Sequence, residues 1–190
     1  MEANKINISH VFKSIFFCYY GFSSFYAPFV PVLLSAAGGK QAEVGLVLAL
    51  QPFLCMVCTP LVGIVADKVG RSLLLKCLIV CAAMIRLCMI WTRSFIFASV
   101  LVILSELCNN PIGSVLDSTV LDALVDPSSY GRHRLWGTIG WGSLAPVGGL
   151  IMSSAGASAS VSLHAAGLLV LLSIVVLQIR GNSGRPPPAA

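Results

Sequence analysis

Six stretches of this sequence are apolar and long enough to cross a lipid bilayer. They cover about residues 11–36, 43–66, 73–92, 95–124, 133–154 and 160–179. A helix needs about 20 predominantly apolar residues to span the hydrocarbon core. Inside lipid every backbone polar group must be paired internally, so spanning stretches of this kind form helices. The separators are short and polar: Lys40, Gln41 and Glu43; Asp67, Lys68, Gly70 and Arg71; Thr92, Arg93 and Ser94; and Asp126 to Ser129 with Gly131, Arg132 and Arg134. The last separator, Ser153 to Ser160, is made of small residues without charge. A single span from 144 to 179 is excluded, because at ~1.5 Å per residue it would exceed ~50 Å. The expected fold is an all-α membrane bundle of six helices over residues 1–180, followed by a flexible proline-rich tail over 181–190.

Composition agrees. Hydrophobic residues make up 57% of the chain and charged residues 10%, against about 45–50% and about 25% in soluble domains. Too few charges are present to cover a soluble surface. An ordinary cytosolic enzyme, a disordered chain and a nucleic-acid partner are therefore excluded, and the partner implied is the lipid bilayer. The first apolar run is too long for a cleavable signal and lacks a small-residue cleavage site. The seven cysteines are odd in number and lie mostly within apolar runs, unlike a secreted disulfide framework. Cys55 and Cys58, and Cys77 and Cys81, have no imidazole or further thiol at metal-ligand spacing. They read as packing residues, so neither a metal nor a cofactor is expected.

Charge sets the orientation. With an even number of spans both termini share one side, which would carry Lys5, Lys13, Lys68, Arg71, Lys76, Arg132, Arg134, Arg180 and Arg185. The opposite side would carry only Lys40 and Arg93. The positive-inside rule places the basic side, and both termini, in the cytoplasm. Nothing in the sequence names the membrane.

Two polar clusters interrupt the spans. The first is Gly63-Ile64-Val65-Ala66-Asp67-Lys68-Val69-Gly70-Arg71. A glycine at position 63 allows close helix approach at the membrane edge. Gly70 permits a tight turn, and Lys68 and Arg71 hold that turn at the anionic face. On physics alone the cluster reads equally well as a plain basic loop. The second cluster pairs Asp117 with the run Arg134, Gly137, Gly140 and Trp141.

The spacing of Gly63, Asp67, Lys68, Gly70 and Arg71 resembles the loop signature between helices two and three of the major facilitator superfamily. The second cluster is similar to the helix-four to helix-five region of its lactose-permease-like branch, which includes the facilitator domain-containing protein six group. The resemblance covers about residues 10–180. It implies half of a twelve-helix fold, made of two three-helix repeats, with a gating role for the first motif. It also implies a solute cavity between two six-helix halves, closed by a second half that this sequence does not contain. There Asp117 would carry a coupling proton, and Arg134 would hold the solute or pair with Asp117.

Charges within the spans need partners, since an unpaired ion at the bilayer centre costs at least ~2.5–3.5 kcal/mol. Arg86 and Glu106 lie near mid-depth in spans three and four, where they would pair if those helices pack. Asp122 either reaches the interface or joins Asp117. In the first span Tyr19, Ser23 and Tyr26 share one face at i, i+4 and i+7. They either line a solute cavity or face lipid and the interface. Pro28 and Pro31 should break this span near its outer end. Gln51-Pro52 and Asn109-Asn110-Pro111 should place polar groups and kinks within spans two and four.

The expected function is a non-enzymatic secondary transporter for a small-molecule solute, proton- or cation-coupled, in half-length or truncated form. Its substrate-binding candidates are Tyr19, Ser23, Tyr26, Gln51, Arg134 and Trp141, and its proton-coupling candidates are Asp117 and Arg134. A non-transporting scaffold that pairs with another half, and a homodimeric carrier built by self-association, are the other readings. The orientation has a direct check. With the native thiols removed and one cysteine placed at Ser183, an impermeant thiol reagent should label the tail only after the membrane is opened. Labelling in intact cells would reverse the orientation.

Overall fold

The computed structural model describes the backbone of residues 2–124 and 126–182, and the side chains of 9–124 and 126–175. Residues 183–190 of the expected tail lie outside the described residues. The elements are α1 (Glu2–Ser23), α2 (Val30–Ala36), α3 (Gln41–Val69), α4 (Arg71–Met89), α5 (Phe95–Ala123) and α6 (Tyr130–Asn182), with 3₁₀ turns at Ala27–Phe29 and Pro127–Ser129. Among the described residues, five helical segments are long and apolar enough to cross a membrane: 9–36, 41–69, 71–89, 95–123 and 127–175.

The first segment breaks as its prolines require. A proline ring clashes with the carbonyl four residues back. Pro28 and Pro31, three residues apart, withdraw the helical bonds to the Ser24 and Ala27 carbonyls together, and α1 stops at Ser23 before the 3₁₀ turn and α2. By contrast, α3 runs through Pro52 and Pro60, and α5 through Pro111, without losing helical assignment. At the other end of α3, Gly70 alone separates two helices. Its φ of 95° and ψ of 128° suit glycine and no other residue comfortably, which accounts for its place in the motif. Before α6, Asp126 caps the turn. It accepts from the Ser128 hydroxyl at 2.7 Å and the Ser128 N–H at 3.0 Å, and these bonds hold its carboxyl below the usual carboxylate range.

The sequence reads 133–154 and 160–179 as two spans, and the structure joins them in α6, which is 53 residues long. Its helical backbone fails at Gly156, where φ is 80° and ψ is −178°. That region of backbone space is essentially reserved for glycine, and it falls inside the uncharged separator expected from the sequence. The two arms of α6 run in opposite directions along α1. Before the break, Gly137 meets Tyr20, Gly140 meets Phe17 and Gly21, and Gly148 meets Ser24 and Phe25. After it, Ser160 donates to the Phe25 carbonyl and Gly167 meets Phe22.

The first arm buries His133, Gly137, Gly140 and Gly148, a stripe at helical spacing that is mostly glycine. A Cβ on Gly140 would lie 2.6 Å from the Phe17 carbonyl oxygen, so backbone meets backbone there. Two apolar cores result. One joins Phe12, Phe16 and Tyr19 to Ile79, Ile112, Leu116, Leu168 and Leu171. The other joins Tyr26, Val30 and Leu34 to Val44, Val47, Val102 and Val161. The helix α3 packs mainly on α5 and leaves Leu46, Phe53, Met56, Leu61 and Ile64 exposed.

Close approach is thus concentrated where α1 meets α6, and two expectations are corrected. Gly63 meets nothing within 4 Å, so it brings no helices together within this chain. Of the cysteines only Cys55 is buried; Cys77, Cys81 and Cys88 are exposed on α4 and do not pack in the core. Gly140→Val should lower the unfolding midpoint by an amount worth about 1–3 kcal/mol, the usual cost of overpacking. Gly142→Val, with open space around it, should leave the midpoint nearly unchanged. Thermal unfolding in detergent or nanodiscs measures both.

Candidate functional site

The turn at Asp126 lays the end of α5 beside the start of α6, and this brings Asp117 and Arg134 together. Arg134 donates from Nη1 to Asp117 Oδ2 at 3.1 Å and to the Tyr130 hydroxyl at 3.0 Å. Its Nη2 reaches the Tyr20 hydroxyl at 3.4 Å. The guanidinium is half exposed, and Asp117 is 22% exposed. The pair is monodentate. Asp117 Oδ1 is buried and without a hydrogen-bond partner among the described residues, and Nη2 of Arg134 has only its long contact to Tyr20. Both groups therefore keep hydrogen-bonding capacity that the pair does not use, with Oδ1 shielded from solvent. Tyr20, which the sequence did not single out, completes this group: it is half-buried, edge-on to Tyr19 at 5.0 Å, and pressed on Gly137.

The other residues singled out by sequence lie elsewhere. Tyr19, Ser23 and Tyr26 do share a face of the first segment, and that face points into the bundle. Tyr19 donates to the Asn109 carbonyl at 3.0 Å, Ser23 to the Tyr19 carbonyl at 2.7 Å, and Tyr26 is fully buried. Gln51 is half-buried on α3, on the seam that also buries Val47 and Cys55. Trp141 is exposed on the first arm of α6.

Arg71 pairs with Asp122, an exposed contact that ties the loop motif to the end of α5. Asp67 and Arg71 also line a groove of about 210 Å³ between α3 and α5, with Thr59, Gly63, Ser114 and Ser118. Lys68 is exposed.

A second charged group fills the centre of the bundle. Arg86 is fully buried in the last turn of α4 and donates from Nη2 to Glu106 Oε1 at 2.6 Å, the pairing expected of two opposite charges inside apolar spans. Its Nη1 contacts His164 Nε2, and its Cζ stands 4.2 Å over the Tyr26 ring. Sequence reasoning missed His164. The available signal was an imidazole in an otherwise apolar span, and that alone does not say which helix faces it. Among the described residues no cluster of side chains is suited to hold a metal ion.

Long apolar helices with ion pairs between them define a multi-pass α-helical membrane protein. Residues 10–183 match the MFS_1 like family, so the chain belongs to that family and is related to the major facilitator superfamily. No curated protein and no solved structure matches it.

The Arg71–Asp122 pair is 44% and 68% exposed, and ion pairs in such positions contribute about 0–1 kcal/mol. Arg71→Gln should therefore shift the unfolding midpoint by less than the equivalent of about 1 kcal/mol. If the loop gates a conformational change, the same variant should slow uptake while leaving that midpoint in place. Parallel unfolding and uptake measurements separate the two.

Proposed function

We propose that this protein is a secondary transporter, a proton- or cation-coupled symporter of a small organic solute. Its family is transporter-related. The observation that carries the finer reading is the Asp117–Arg134 pair, held between two membrane helices with one carboxylate oxygen and one face of the guanidinium unspent. In this reading Asp117 carries the coupling proton, and Arg134 binds an anionic or hydroxyl-rich solute through its forked donors. Tyr19, Ser23, Tyr26, Gln51 and Trp141 remain the solute candidates from the sequence, with Tyr20 added beside Arg134. In this reading the two arms of α6 are two crossings, making six spans, and the basic residues put both termini in the cytoplasm.

The six-helix unit works against a second unit, either another copy or a separate half. Support for pairing comes from the open space at Gly63 and the exposed apolar face of α3. The same observations favour the second reading, a scaffold or partner subunit that does not itself transport.

Asp117→Asn decides between coupling and structure. An amide mimics the protonated acid, so accumulation driven by a pH gradient in liposomes should be abolished while solute exchange persists. Arg134→Lys should weaken solute binding, because an ammonium has no fork. If Asp117→Asn instead lowers stability, and residual uptake keeps its pH dependence, the pair is structural.

A further inference from the structure

The buried group around Arg86 contains more than an ion pair needs. Apart from Glu106, the guanidinium has three neutral partners already in place. His164 Nε2 faces Nη1, Asn109 Oδ1 lies 3.5 Å from the same nitrogen, and the Tyr26 ring covers the cation at 4.2 Å. An imidazole nitrogen that accepts from arginine carries no proton, so His164 is neutral. A pair kept only for structure leaves an uncompensated buried cation when its acid is neutralised. Here the cation would keep two acceptors and a ring face.

Exposure differs across the group. Arg86, Tyr26 and His164 are sealed, whereas Glu106 is 14% exposed. Arg86 Nε and His164 Nδ1 are buried without partners among the described residues. A network built solely for stability would spend these donors.

We propose that Glu106 is a proton-binding site of this protein, separate from the Asp117–Arg134 pair, with Arg86 as its resident counter-ion. Proton arrival neutralises the carboxylate, and Arg86 passes to His164, Asn109 and the Tyr26 ring. Proton release restores the ion pair. The groups that face this site are Arg86 from α4, Tyr19 from α1, Tyr26 from the turn after it and His164 from the returning arm of α6. Asn109 and Cys108 come from Glu106's own helix. The helix α3, which also packs on α5, carries no charged residue between Glu43 and Asp67. Glu106 lies 11 residues before Asp117 on α5, about 16 Å along the helix at 1.5 Å per residue. The two sites are therefore distinct, and this inference does not depend on whether the chain moves a solute.

Infrared difference spectroscopy of the full chain in lipid nanodiscs, acidified stepwise, tests it. The wild type should gain a protonated-carboxyl C=O component before it unfolds. Glu106→Gln should fold and lose that component, and Asp117→Asn should keep it. The proposal is overturned if the component survives in Glu106→Gln, or if none appears before unfolding. Should Glu106→Gln not fold, Glu106→Asp keeps a carboxyl group at altered reach. The component must then shift in frequency, and an unshifted one overturns the assignment.

Discussion

The rest of this structure depends on the approach of α1 to the two arms of α6. Lipid offers no hydrophobic gain for helix association, so contact comes from close van der Waals packing and interhelical polar bonds. The glycine stripe on the first arm lets its backbone reach that of α1 at Phe17. The reversal at Gly156 then returns the chain along the same helix, closing α1 between two layers. His133 joins the start of the first arm to Ser9, and Ser160 joins the start of the second to Phe25. Both charged groups are positioned by this arrangement: Arg134 rides on the first arm and His164 on the second.

The two charged groups differ in ways that follow from burial. In the Asp117–Arg134 pair the arginine side chain is half exposed and the aspartate 22% exposed. Their bonds are long and partly unspent, as suits groups that exchange partners. Arg86 is fully buried and Glu106 nearly so, and a buried charge without compensation is expensive. There the ion pair is short and backed by a histidine, an asparagine and an aromatic face. Asn109 and Tyr19 connect the buried group to α1, and Tyr20, next in sequence, belongs to the more exposed one.

The outer helix α3 contrasts with α1. It buries a narrow seam at Val44, Val47, Cys55 and Ala66 and exposes most of the rest. An apolar helix face is no anomaly in lipid, but the groove beside it is partly polar, with Thr59, Asp67, Ser114 and Ser118. Polar groups facing lipid are costly. In the proposed reading this is the side where a second unit docks.

Much of this was legible from residue order alone. The helices follow from runs of apolar residues in a solvent that forbids unpaired backbone. The break in the first segment follows from Pro28 and Pro31, and the turn at Gly70 from a glycine between two helices. The Arg86–Glu106 pair follows from two opposite charges in consecutive apolar spans, each of which needs a partner. Asp117 and Arg134 were set together by the family resemblance, and the turn at Asp126 is what lays their helices side by side. Tertiary structure decided what has no local signature. Which face of the first segment is interior depends on packing: Tyr19 and Tyr26 look inward, while Tyr20 reaches Arg134. His164 joins Arg86 only because Gly156 reverses α6. Gly140 rather than Gly63 carries a close helix contact, because α1 and not another part of this chain lies opposite it. Periodicity in a sequence fixes which residues share a face, and the choice of neighbour for that face belongs to the assembled bundle.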